Sequence, residues 1–226
     1  MMNLQRIYIL LIISFLTGIF SYSQTISSDT ISGNKQQMFI SVDLLNPVAG
    51  FFSYKKSYSG FVSYKIKNKW AVTAEIGYEK NSYKKNNWDV EAKGIFGEAG
   101  VNYMLTNNPE DTGEGFYIGA RIGFSPYKQK VKKYPVKEVD PEGHARTVGG
   151  GSLSEAGVSS GWIEAVVGAK VQLGKTPFYI DFMAKPKFLI FSGKQENIDN
   201  LVIPGYGKDK GAANISLYWG IGYKLF

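Results

Sequence analysis

Cysteine is absent from this 226-residue chain, histidine occurs once (His144), and beyond the first two dozen residues no stretch repeats its apolar positions at helical spacing. Each absence excludes something. Without cysteine there is neither a disulfide framework nor a lipid-modified cysteine anchor, so burial and hydrogen bonding must hold the fold. One histidine excludes a multi-histidine metal site within the chain. The lack of amphipathic helices, with a slightly negative mean hydropathy, excludes a helical membrane protein and separates the chain from soluble α/β enzymes. What is plentiful is glycine (26), tyrosine (15) and phenylalanine (14), while charged residues make up 20%. That composition suits a barrel whose strands are apolar on one face only.

The N-terminus reads as an export signal. Residues 7–20 (IYILLIISFLTGIF) form an apolar run behind Arg6, and the polar Ser21–Tyr22–Ser23–Gln24 ends it. The run matches a signal-peptide core and is shorter than the about 20 apolar residues of a membrane-spanning helix. Small Ser21 and Ser23 fit cleavage before Gln24. The expected organisation is a signal peptide over 1–23, a short periplasmic segment over 24–37 and a single domain over 38–226. Net charge is +7, a balance that in another setting suggests nucleic acid. For an exported chain, phosphates of an outer-leaflet glycolipid are the better partner, and no nucleic acid is expected.

Period-two alternation recurs through the rest. Its clearest instance sets Trp70, Val72, Ala74, Ile76 and Tyr78 against Ala71, Thr73, Glu75, Gly77 and Glu79. Similar patterns begin near Met38, Tyr58, Val90, Phe116, Trp162, Phe178 and Ala213, giving eight strands of about ten residues, the length that crosses a bilayer at a steep tilt. The sequence therefore predicts an all-β, eight-stranded, antiparallel up-and-down transmembrane barrel. Ten strands result if part of 127–160 pairs as a hairpin. The polar faces carry Glu75, Glu79, Glu98, Arg121, Glu164, Lys170 and Asp181, and an eight-strand interior is just wide enough for side chains to fill. An interior ion-pair network of Glu75, Glu79, Glu98, Arg121, Glu164 and Asp181 is expected, in place of an apolar core. Aromatics near strand ends on the other face (Trp70, Tyr78, Tyr103, Phe116, Phe124, Phe178, Tyr223) read as interfacial girdles. Connections at 46–57, 80–89, 126–160 and 193–210 are long. Those at 68–69, 106–114 and 174–177 are shorter, the asymmetry of bacterial barrels. Phe226 shares parity with Lys224 rather than Tyr223, which calls for a bulge or bend at the end of the last strand.

Several motifs carry no chemistry in this setting. Ala169–Thr176 has the outline of a phosphate-binding loop, which needs a helix after its glycines, yet Pro177 starts another strand. His144, Ser152 and Glu155 are the residue types of a hydrolase, but they sit in one glycine-rich loop with nothing to set a base against a nucleophile. No catalytic residue, cofactor or metal is expected. Lys128, Lys130, Lys132 and Lys133 suggest a strand extended above the membrane, its lysines guarding an edge or meeting glycolipid phosphate.

With the strands in place, WIEAVVGAKVQL (162–173), IDNLVIPGYG (198–207) and KGIFGEAGVNYML (93–105) resemble an uncharacterised Bacteroidota family of small exported barrels, known only as a domain of unknown function. The resemblance spans most of 38–226. It implies outer-membrane residence and brings no site residues with it. Leu201, Val202, Ile203, Pro204 and Tyr206 are apolar where exposed loops are polar, so the segment is either a lid over the barrel mouth or a contact for another outer-membrane or periplasmic protein. The expected role is structural or as an envelope-complex subunit, with a narrow small-solute porin as the alternative.

Overall fold

The computed structural model describes residues 36–67, 69–106, 113–196, 198–208 and 213–226. The expected signal peptide and nearly all of the 24–37 segment lie outside these residues.

Eight long strands form one antiparallel ring. In chain order they are β1 (Gln37–Asp43), β2 (Lys56–Lys67), β3 (Trp70–Lys85), β4 (Trp88–Met104), β5 (Gly115–Val139), β7 (Ala156–Gln172), β8 (Phe178–Ser192) and β11 (Ala213–Lys224). Each pairs with its neighbour in the ring, and β1 against β11 closes it. The expected eight-stranded, up-and-down barrel is the fold observed. A helical turn, α1 (Leu45–Gly50), follows β1, while β6 (Ala145–Gly150) folds back on the far end of β5. The strands β9 (Val202–Ile203) and β10 (Gly207–Lys208) form a small separate hairpin.

The ring alternates as the sequence does, with the polar set inside. On β3, Thr73, Glu75 and Glu79 are buried while Trp70, Val72, Ala74, Ile76 and Tyr78 are exposed. Trp70 stacks edge-on against Tyr103, Phe178 against Tyr223, and Phe182 lies parallel to Trp219. These outer-wall pairs are the cross-strand contacts that fix register.

Three expected boundaries move. First, β1 stops at Asp43 rather than running on to Leu44 and Leu45. The Asp43 carboxylate accepts from the backbone N–H of Leu45 (2.9 Å) and from Asn46, and Pro47 has no N–H for a ladder. Second, residues 80–89 are not a loop. The β3 and β4 strands continue to a two-residue turn at Asn86 and Asn87, both at positive φ (53° and 62°). Asparagine tolerates that conformation, and two such residues make the tight turn that suits strand twist. Third, most of 126–160 is strand: β5 runs to Val139 and β7 begins at Ala156. The hairpin of β5 with β6 exists but stands outside the ring, so the barrel has eight strands and not ten. The β8 strand runs to Ser192, where the expected connection over 193–210 begins. After Lys224 the last strand loses regular geometry, though Leu225 N–H still donates to Met38 O (2.8 Å).

Candidate functional site: the filled lumen

The ladder registers stack the inward residues of different strands into a common lumen. Glu75 faces Glu98 across β3 and β4, and Arg121 faces Glu164 across β5 and β7. Two carboxylates side by side repel unless cations reach between them. Arg121 does so from β5, the strand next to β4. Its Nη1 lies 3.4 Å from Glu75, 3.5 Å from Glu164 and 4.0 Å from Glu98. Lys185 bridges Glu75 (2.7 Å) and Glu98 (2.9 Å), while Lys187 reaches Glu98 and, at 3.0 Å, Glu164. Three cations thus interlock with three carboxylates, all at most 5% exposed in their side chains. The Arg121 guanidinium also lies over the Phe61 ring at 4.8 Å and donates to Met183 Sδ.

Asp181, on the side of this layer nearer the short turns, accepts from Tyr117 Oη (2.6 Å) and faces Lys170 at 4.0 Å. Lys170 is seated over Phe39. At the other end, Glu79 meets Lys55 at 3.2 Å and accepts from the Gly205 N–H, also at 3.2 Å.

All six expected lumen residues are therefore inside, but Glu79 and Asp181 belong to flanking layers. The sequence reading missed Lys185 and Lys187, the two lysines that join the central carboxylates. Their signal was present: Asp181, Met183, Lys185 and Lys187 keep one parity through β8. The sequence reading followed that parity only as far as Met183, although it placed the next loop at 193–210.

Above the charged layers the lumen turns apolar. Val202, Ile203 and Tyr206 pack with Tyr83, Ala92, Phe96, Tyr127 and Trp162, with Leu201 at the margin. The segment containing Leu201, Val202, Ile203, Pro204 and Tyr206 is folded into the barrel mouth, its side chains turned inward. A partner would meet them only if the segment swung out. Gly205 fixes its bend. At φ +78°, with the Phe96 ring where a Cβ would stand, this position admits only glycine without strain. The Gly205 carbonyl accepts from Lys187 Nζ (2.8 Å), and Trp162 lies under the same ammonium. The mouth hairpin is thus fastened directly to the ion network.

The outer wall changes character at the same level. Up to Tyr78 on β3 and Phe124 on β5 its residues are apolar, whereas Lys80, Lys84, Lys128, Lys130 and Lys132 follow on the same face. Inside, charge gives way to Tyr83, Val90, Ala92, Tyr127 and Val131. The expected strand extension bearing the lysines is present. Lys132 donates to Glu91 at 2.9 Å and Lys80 reaches it at 3.2 Å. The Lys132 hydrogen bond, opposed in part by burial and reinforced by Lys80, holds the Glu91 carboxyl below its ordinary range. Glu155 is lowered likewise by its hydrogen bond to Lys93 (2.9 Å), with Lys128 adding to it. His144 faces Asp140 instead, so no hydrogen bond joins His144, Ser152 and Glu155 among the described residues.

An antiparallel eight-strand ring closed on itself and filled with paired charges defines a small up-and-down β-barrel. The chain belongs to the family described as Domain of unknown function (DUF6048), whose model matches residues 2–225. No curated protein matches it. Among solved structures it is similar to the N-terminal β-barrel domain of Pseudomonas aeruginosa OprF, at 11% identity and a TM-score of 0.39, covering 86% of this chain and 100% of that one. It is also similar to Ail, the attachment invasion locus protein of Yersinia pestis, at 13% identity and a TM-score of 0.38, with the same coverage. Likeness of that degree says nothing of what this chain binds or does.

Proposed function

We propose that this chain is a non-conducting, non-enzymatic barrel of a bacterial outer membrane, with a structural or complex-subunit role in the envelope. One observation carries the reading: both faces of the wall exchange polarity at a single level. Below it the pattern is inverted, apolar outside and charged inside, as a bilayer requires. Above it the pattern is that of a water-soluble protein. The stretch from Trp70 to Tyr78 climbs roughly 20 Å at the usual strand spacing and tilt, close to the about 25 Å apolar band of outer-membrane barrels. No soluble lipocalin-like barrel has a reason to invert half its wall.

The long connections then face the cell exterior and the short turns the periplasm. The resemblance drawn from the sequence points to a Bacteroidota source, whose cells have such a membrane. Export through a cleaved signal, with glycolipid around the basic upper wall, belongs to the same reading.

Contact rather than transport follows from the lumen. A solute crossing it would have to part the interlocked pairs of three cations and three carboxylates and the apolar hairpin above them, leaving buried charges uncompensated. The competing porin reading draws on the polar lumen alone. Planar-bilayer recording separates the two. Wild-type protein should give no stable unitary current, and steady single-channel steps that survive replacement of the mouth hairpin would establish the porin.

A further inference from the structure

Because β1 ends at Asp43, the ring is complete only in its lower part. Val42 still faces Gly60 on β2, and the Leu44 N–H still donates to Trp219 O (2.8 Å). Beyond that point β2 (from Ser59 back to Lys56) and β11 (from Tyr218 back to Ala213) pair only with their outer neighbours, β3 and β8. Among the described residues no strand follows the line that β1 would have taken.

The backbone groups bordering this slot can be named. Trp219 O points toward β1, and in an antiparallel ladder the N–H and C=O of one residue share a side while alternate residues reverse it. Ile215 and Leu217 therefore aim both groups into the slot, as Ser57 and Ser59 do from β2. The Ile215 N–H is taken up on its own strand by Asn214 Oδ1 (2.9 Å), and none of the other groups hydrogen-bonds across the slot to another described residue. The slot lies at the height of the apolar belt: Ile215 and Leu217 face outward at 64% and 51% exposure, beside Ala184, Pro186 and Phe188 of β8. Open sheet edges do not persist in hydrocarbon, because each unsatisfied group there costs several kcal/mol.

The cover that the chain supplies is slight. The α1 turn lies alongside β2 and β11 but contributes no buried residue, and Phe51 and Phe52 just beyond it are 85% and 84% exposed.

We propose that this slot is a lateral docking site for an extended segment of a partner protein, which completes the wall by adding a strand along the free edge of β11. The proposal rests on the outer-membrane, complex-subunit reading and deepens it. The chemistry selects the occupant. Alternating backbone donors and acceptors one strand apart are matched by another backbone, whereas an acyl chain offers neither. The incoming strand would turn apolar residues toward lipid beside Ile215 and Leu217, and small or polar ones toward Ser57, Ser59 and Ser216, which line a narrow internal cavity behind the slot.

The test uses the full chain in native outer membranes, where the absence of cysteine permits a single benzophenone label. On Ile215→Cys the label should cross-link to a second polypeptide. On Val167→Cys, which faces lipid from a strand paired on both sides, the yield should be at least tenfold lower. Leu217→Pro removes a slot-facing N–H without touching the ladder to β8, so it should abolish the Ile215→Cys adduct while the barrel stays heat-modifiable. A second measurement needs no variant. The Leu217 amide should exchange at least tenfold faster in the purified barrel than in native membranes. Adducts to lipid alone, adducts to residues 44–55 of the same chain, a protein adduct indifferent to Leu217→Pro, or equal exchange rates would each overturn the proposal. A chain missing from the outer-membrane fraction before illumination would overturn the underlying reading as well, and fractionation tells the two failures apart.

Discussion

The middle of the lumen and its mouth solve the same packing problem with opposite chemistry. In the middle, Arg121, Lys185 and Lys187 interlock with Glu75, Glu98 and Glu164. At the mouth, Val202, Ile203 and Tyr206 pack against Phe96, Tyr127 and Trp162 as any soluble core would. The difference follows the surroundings of the wall. Where the outside is apolar, charged and polar residues fill the inside together with a few buried apolar ones such as Phe61, Val166 and Met183. Where the outside bears Lys80, Lys128 and Lys130, the apolar residues return inward. One strand carries both regimes without breaking its alternation, because only the assignment of faces reverses.

The largest expected effect separates these fillings by their response to truncation. Arg121→Leu removes the one cation that reaches all three buried carboxylates and should cost about 3–5 kcal/mol, the usual result of removing one side of a buried ion network, read by urea unfolding in lipid vesicles. Replacing Arg121 and Glu164 together should cost less than the sum of the two single changes, since they share contacts. Additive losses would mean that the network is not a unit.

A second substitution probes the outer face at the middle level. Ala74→Arg, pointing outward, should destabilise the barrel by about 2–4 kcal/mol near the bilayer midplane. Lys84→Ala, on the same strand above the reversal, should be neutral.

At the mouth, Ile203→Ala should fall near the low end of the about 2–5 kcal/mol seen for such truncations, since the hairpin can settle inward. The loss should be local. Protease nicking near 198–208 should rise while the barrel's heat-modifiability is unchanged.

The smallest effect concerns pH. Glu91 and Glu155 have carboxyls depressed by Lys132 and Lys93 respectively. Their folded values lie below the unfolded ones, so the stability they add is present above the ordinary carboxylate range and is lost as pH falls through the depressed values. Amide exchange along the upper parts of β4 and β5 should quicken on acidification into that range, and Glu155→Gln should reduce the response. Exchange that stays flat would contradict the assignment.

The barrel itself was legible because period two survives in nearly every strand, and Glu75, Glu98 and Arg121 were placed by parity alone. Strand ends were not, since each depends on a local event that alternation does not encode. The Asp43 side chain stops β1, and Asn86 and Asn87 turn a hairpin that reads as a polar loop. Running β1 on hid the gap in the wall, and following the β8 parity only to Met183 left Lys185 and Lys187 unnamed. The inward packing of Val202 and Ile203 was suggested by their apolarity, but the hold of Lys187 and Glu79 on Gly205 requires three dimensions.

The central claim, that the reversal of wall polarity marks a membrane surface, is tested most directly by depth measurement along one strand. Single spin labels on the outward residues Ile118, Ile122, Phe124, Lys128 and Lys130 of β5, in bilayers, would be compared for accessibility to oxygen and to a water-soluble nickel reagent. Oxygen should dominate through Phe124 and the nickel reagent from Lys128 onward, with the crossover between them. Labels equally open to the nickel reagent at Ile122 and Lys130 would contradict the account and leave a barrel that does not span a bilayer.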